Sequence, residues 1–153
     1  MTIAVDTREK ARAITKILAE FDERGVPYVS TKLYCGDYQD IANGLNVVDR
    51  KQNLLELAGN LGKDWPRFKR ELQRAQEAGI HITVLCEHGR GVSCLDDVAK
   101  WVNPRLKESP LCLSGEALYR KMTAISRGYG VAWEFCDKKD TGRRILEILG
   151  AMT

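Results

Sequence analysis

The sequence predicts an α/β domain, with a central sheet and helices on both of its faces. Three observations predict it. Runs of β-type residues alternate with segments of helical period along the whole chain. Glycine and proline punctuate several of the junctions between them. The chain has 153 residues, 44% of them hydrophobic, the common size for one domain with a sizeable core, so residues 1–153 are read as a single domain.

Residues 2–6, TIAVD, read as a short buried strand that ends in a carboxylate. From Arg8 to Arg24, Ile14, Ile17, Leu18 and Phe21 form the stripe of an amphipathic helix, closed by Gly25 and Pro27. Tyr28 to Cys35 returns to β-type sequence, so the chain opens β-α-β. After Gly36-Asp37-Tyr38, a turn-rich stretch around Asn43-Gly44 leads into a strand over Leu45 to Lys51, and the two arms are expected to be a hairpin or neighbours. Leu54 to Leu61 reads as a short helix. Pro66 to Ala78 is a longer one, apolar at Phe68, Leu72 and Ala75 and stopped by Gly79. Ile80 to Cys86 is a strand, Leu95 to Val102 a short helix, and Asn103 to Cys112 a loop with two of the four prolines. Ser114 caps a helix through Arg127, with Leu118, Met122 and Ile125 at helical spacing and Gly128 at its end. Val131 to Cys136 is the last strand and Thr141 to Leu149 the last helix.

The bulk numbers narrow the functional class. A formal charge of +3 and a pI near 8.6 permit nucleic acid as a partner without requiring it. The N-terminus is charged within six residues and no run approaches the roughly 18 apolar residues of a membrane span, so a soluble protein of the reducing cytoplasm, with no membrane partner, is expected. Cys35, Cys86, Cys94, Cys112 and Cys136 are odd in number, lack CxxC spacing and lie mostly in hydrophobic runs, which fits reduced core thiols. Cys86, His88 and Cys94 lack the fourth ligand and paired spacing of a zinc site, and His81 and His88 read as structural or solvent-facing.

The residues that carry chemistry lie in the first third of the chain. Asp6 and Glu9 flank the end of the first strand, Asp37 follows a glycine at a strand end, and Asp49-Arg50-Lys51 closes another strand. In extended backbone, residues two apart point the same way, so Asp49 and Lys51 share a face and Arg50 takes the other. Carboxylates from two strands supply hard oxygen ligands to a divalent cation. A nearby ammonium can hold the attacking water and stabilise charge on a phosphate. On spacing alone the pattern is weak, because solvated strand-end charges and surface ion pairs give it too.

Three motifs in order add weight: VDTRE (Val5 to Glu9), LYCGDY (Leu33 to Tyr38) and VVDRK (Val47 to Lys51). Together they resemble the XPF/Hef-type nucleases of the PD-(D/E)XK superfamily, and the downstream order of elements is similar too. The resemblance implies a restriction-endonuclease-like mixed sheet flanked by helices and a metal-dependent DNA endonuclease. It makes Asp37 and Asp49 the metal ligands for Mg²⁺ or Mn²⁺, with Asp6 and Glu9 as further acids that bind metal directly or through water. Lys51 would be the catalytic lysine, and Arg8 and Arg50 would contact phosphate or orient the carboxylates. Two departures stand out: Asp49 replaces the family's usual Glu, and Leu55, with Glu56 next to it, stands where an acid often follows the lysine. Arg8 and Glu9 also suit plain helix N-terminal charges, and Tyr38 suits packing beside a turn.

Arg67, Arg70 and Arg74 fall within an arc about 60° wide on the helix after the motif, with Lys63 just before it. Such a stripe can grip DNA phosphates, although Glu71 and Glu77 dilute it. Lys138, Lys139, Arg143 and Arg144 form a second basic cluster that more often means solvated surface. Many members of the resembled family add a helix-hairpin-helix module, and none is visible here, so the grip on DNA is either intrinsic or supplied by a partner. Ile145, Leu146, Ile148 and Leu149 make the last helix apolar on more than one side, which suits either a homodimer or docking on the sheet.

Three readings compete. The first is an endonuclease acting on flap, fork or junction DNA in repair, recombination or phage DNA processing, its compact form suiting a phage or prophage protein. The second is a catalytically silent nuclease-fold module that binds DNA or pairs with an active partner. The third, a small-molecule enzyme, has no glycine-rich phosphate loop or nucleophile elbow behind it.

Overall fold

The computed structural model describes residues 1–152. Its strands are β1 (Ile3–Asp6), β2 (Tyr28–Thr31), β3 (Tyr38–Asp40), β4 (Asn43–Lys51), β5 (His81–Cys86) and β6 (Ala132–Phe135). Its helices are α1 (Thr15–Glu23), α2 (Leu54–Leu61), α3 (Trp65–Glu77), α4 (Leu95–Val98), α5 (Gly115–Tyr129) and α6 (Thr141–Ile148). The strands form one mixed sheet in the order β2-β1-β3-β4-β5-β6. Only β3 runs against the rest, since it is antiparallel to both β1 and β4 while the other pairings are parallel. The C-terminal ends of β1, β2, β4, β5 and β6 therefore share one rim of the sheet, and β3 starts there. This is the predicted class, with the hairpin β3–β4 where the turn at Asn43 placed it.

The alternation of each strand divides its side chains between two cores. Val47, Ile82, Val84 and Cys86 pack under Leu57 and Leu61 of α2, Phe68 and Leu72 of α3 and Leu118 and Met122 of α5. Val5, Tyr38, Val48 and Leu85 pack on the other face under Ile17 and Phe21 of α1 and Ile145 and Leu146 of α6. Gly142 lets α6 lie close to α1: a Cβ there would sit 2.8 Å from Glu20 Cβ. The apolar residues Ile145, Leu146 and Leu149 are thus spent on docking within the chain.

The boundaries differ from expectation in instructive places. The first helix starts at Thr15 rather than Arg8, because Asp6 captures the backbone N–H and guanidinium of Arg8 and holds the following residues in turns. The second β segment of the sequence reading, Tyr28 to Cys35, stops at Thr31, and Leu33 to Gly36 turn back toward the rim. The helix from Leu95 ends at Val98, while Asn103 caps a short 3₁₀ turn at Pro104–Lys107. Ser114 caps α5 as predicted, but the left-handed terminator is Gly130, at φ 69°, not Gly128. Among the described residues, no helix is long and apolar enough to cross a membrane.

Candidate active site

Gly36 sets the geometry at the rim. It adopts φ +74°, and a Cβ there would lie 2.9 Å from Val47 Cγ2, so the turn accepts only glycine without a shift. The turn feeds Asp37 between β1 and β4. There its N–H donates to Val48 O and its carbonyl accepts from Asp6 N, both at 2.8 Å. Its carboxylate Oδ2 accepts the N–H of Arg50 at 2.8 Å, which fixes the side chain as well. A glycine–aspartate pair is therefore a structural splice that also aims a carboxylate.

Alternation along β4 sorts the DRK triplet as expected. Asp49 and Lys51 lie on the α3 side, with Lys51 Nζ 3.4 Å from Asp49 Oδ1 and 5.3 Å from the centroid of the Phe68 ring. Asp37 meets Asp49 in side-chain contact. Burial, followed by the charges of Asp49 and Glu9, holds the Asp37 carboxyl well above the usual carboxylate range, against the bond from Arg50 N. Burial opposes the charge on Lys51, but Asp49, Asp37, Glu56 and Glu71 outweigh it and its pKa is raised, so the ammonium form is secured.

Glu71 is the residue that sequence reasoning misplaced. Counted there as a diluent of the basic stripe, it turns inward from α3 and accepts the N–H of Gly36 at 3.1 Å. Burial and then the charge of Asp49 push its carboxyl up, offset in part by that bond, Lys51 and Arg74. A cleft of about 160 Å³ opens beside it, lined by Lys51, Asn60, Asp64, Arg67, Phe68 and Glu71. The buried Oδ1 of Asn60 has no hydrogen-bond partner among the described residues.

Arg50 points to the other face and its charge is committed there. Its Nε lies 2.7 Å from Glu9 Oε2 and its Nη1 2.5 Å from Glu87 Oε1, with the side chain only 4% exposed. Glu9 Oε2 also accepts the hydroxyl of buried Tyr38 at 2.7 Å, and Glu87 Oε2 accepts the hydroxyl of Thr141 at 2.6 Å. This network ties β1, β3, β4, β5 and α6 together. Glu87 and Thr141 were not singled out from sequence. The signal available was that an acid directly follows β5, much as Asp6 closes β1.

The four acids that the resemblance assigns to metal separate into two groups. Asp37 and Asp49 face each other, whereas Glu9 is bound to Arg50 and Tyr38. Asp6 closes the end of β1: its Oδ1 accepts Leu33 N at 2.9 Å and its Oδ2 accepts Arg8 Nε at 2.6 Å. Arg8 is largely exposed beyond that bond. A buried carboxylate, Asp49, beside a half-buried one, Asp37, makes a hard, electron-rich donor pair that a divalent cation would relieve. Among the described residues no third Asp, Glu, His or Cys joins them in a metal-like cluster. The pair fits Mg²⁺ or Mn²⁺, which take one or two carboxylates and fill their shells with water and phosphate oxygens.

Arg67, Arg70 and Arg74 are exposed on α3 while Phe68, Leu72 and Ala75 face the core, so the stripe exists as read. Arg67 reaches the cleft beside Lys51, and Arg74 lies 5.9 Å from the ring centroid of Tyr34, which is 58% exposed. At the other end of the chain, Arg143 pairs with Asp140 and Glu147, and Arg144 with Glu134 and Glu147.

The fold has counterparts among known proteins. A search of curated protein sequences finds no match. Among solved structures, the chain is similar to XPF from Aeropyrum pernix at 23% identity and a TM-score of 0.68, covering 99% of this chain and 64% of that one. It is equally similar to the same protein in complex with DNA, at 23% identity and a TM-score of 0.67, covering 98% of this chain and 64% of that one. The chain thus spans just under two thirds of those solved chains. Residues 5–147 match the ERCC4 domain, from the middle of β1 to the last turn of α6. The rim motifs, the sheet order and this match lead to one conclusion: the chain belongs to the ERCC4 domain family.

Proposed function

We propose that this chain is a metal-dependent DNA endonuclease that hydrolyses phosphodiester bonds. The observation that carries the proposal is the contact of Asp37 with Asp49 beside Lys51, at the sheet rim and next to the arginine stripe of α3. Family membership supports nuclease chemistry, and the DNA complex of XPF supports DNA as the polymer. Asp37 and Asp49 would hold Mg²⁺ or Mn²⁺. When bound, the cation supplies charge to a phosphate oxygen and acidifies a water. Lys51, kept as an ammonium by the acids around it, would orient the attacking water and balance charge on the phosphate. Asp6 and Glu9 act as positioning residues in this reading, through Leu33 and Arg8 in one case and Arg50 and Tyr38 in the other. Arg50 orients Asp37 through its backbone N–H, while Arg8, Arg67, Arg70 and Arg74 are placed to meet DNA phosphates.

The test uses purified protein and its Asp37→Ala variant with labelled linear, flapped, forked and four-way DNA, each with Mg²⁺, with Mn²⁺ and with EDTA. Metal-dependent cleavage by the wild type and none by the variant is the expected result, and the preferred substrate assigns the process. A wild type that binds DNA and never cuts it would be a silent DNA-binding module instead.

A further inference from the structure

The sequence grouped four basic residues near the last helix, and the structure regroups them. Arg143 and Arg144 are neutralised by Asp140, Glu134 and Glu147, as described above. Lys138 instead joins Arg12 and Lys16 around a cleft of about 250 Å³, lined also by Ala13, Thr15, Ile17 and Glu87. All three cations are exposed, and among the described residues none of them makes an ion pair. The acid at the floor, Glu87, is buried and already bound by Arg50 and Thr141. The cleft includes the first turn of α1, which carries no acidic residue and no capping side chain, so its helix dipole adds to the positive field.

The location gives this field a use. Glu87 and Lys138 follow the ends of β5 and β6, so the cleft opens on the same rim as Asp37, Asp49 and Lys51. It faces the opposite side of the sheet, under α1 and α6 rather than α2 and α3. The rim is thus flanked by two cationic sites, one around Lys51 and Arg67 and one around Arg12, Lys16 and Lys138. We infer that the second is a phosphodiester-binding subsite, which takes the DNA backbone on the far side of the rim from the α3 stripe, so that bound DNA crosses the rim over the carboxylate pair. The inference rests on the reading of the chain as a DNA-acting enzyme and adds where its substrate continues.

Counterion release makes it measurable, because each phosphate neutralised contributes about 0.9 to the slope of log affinity against log salt. Binding of a labelled duplex is measured by anisotropy in EDTA, across a salt series. Compared are wild type, the triple variant Arg12→Ala/Lys16→Ala/Lys138→Ala, the three single variants and Arg143→Ala, each checked for folding by circular dichroism. We expect the triple variant to lose about 2 to 3 from the slope, each single variant about 0.9, and Arg143→Ala nothing, since its charge is already balanced. The single variants carry the test if the triple variant misfolds. An unchanged slope in folded variants overturns the subsite, as does an equal loss from Arg143→Ala, which would mean that net charge alone matters. A wild type with no DNA affinity overturns the nuclease reading as well, so the two failures are distinguishable.

Discussion

Asp37 shows the cost of a site built from like charges. Its folded pKa lies above the unfolded value of about 4, so the native state holds the proton more tightly over that interval. Between the two values stability falls as pH rises, so the burial of Asp37 beside Asp49 costs the fold stability toward neutral pH. The Asp37→Asn variant should therefore melt higher than wild type at neutral pH without metal. It should also lose the rise in Tm that Mg²⁺ gives the wild type, and lose cleavage by about a thousandfold. Thermal melts at several pH values with and without Mg²⁺ check the first two, and initial cleavage rates the third. Glu71 tests a different role. Replacement by Gln keeps an acceptor for the N–H of Gly36, whereas Ala removes it and should lower stability by about 1–2 kcal/mol in urea unfolding, with Gln near wild type.

Between elements, the buried arginine is the main joint. Arg50 links the turn after β1 to the end of β5 through Glu9 and Glu87, and Glu87 links onward to Thr141 at the start of α6. Arg50→Met would leave two buried carboxylates without their cation, and unfolding in urea should show a loss of about 3–5 kcal/mol. Arg50→Lys should recover little of it, because an ammonium cannot form the forked contacts of a guanidinium. The contact of α1 with α6 is tested at Gly142, where a Cβ would meet Glu20 and the carbonyl of Ile17. Gly142→Val should cost about 1–3 kcal/mol by overpacking, measured in the same way.

Across the whole molecule, the sheet acts as a partition. Its α2/α3 face holds the acids and Lys51, and its α1/α6 face holds the network that braces them, both reached through residues of one strand, β4. The basic stripe of α3 borders the site, with Arg67 at its cleft, and under the proposed function its role is in affinity. Neutralising Arg67, Arg70 and Arg74 together should reduce the salt slope of DNA binding by about 2 to 3, with little change in Tm because all three side chains are exposed.

The class of the fold, the β3–β4 hairpin, the α2 boundaries and the opposite directions of Asp49 and Arg50 were all legible in the sequence. Each follows from local rules: hydrophobic period, turn residues and the two-residue repeat of a strand. The three rim motifs also fixed the family, because their order along the chain survives without coordinates. The partners of the charges were not legible. Glu71 reads as surface on α3 until the Gly36 turn is brought against it, and Glu87 and Thr141 lie 37 and 54 residues from the groups they bind. The first helix began late because hydrogen bonds from Arg8 to the Asp6 carboxylate displaced the periodic pattern. Whether a carboxylate becomes a ligand or a brace, and whether a basic residue stays free or is neutralised, depends on which elements pack together, and that is set only when the chain folds.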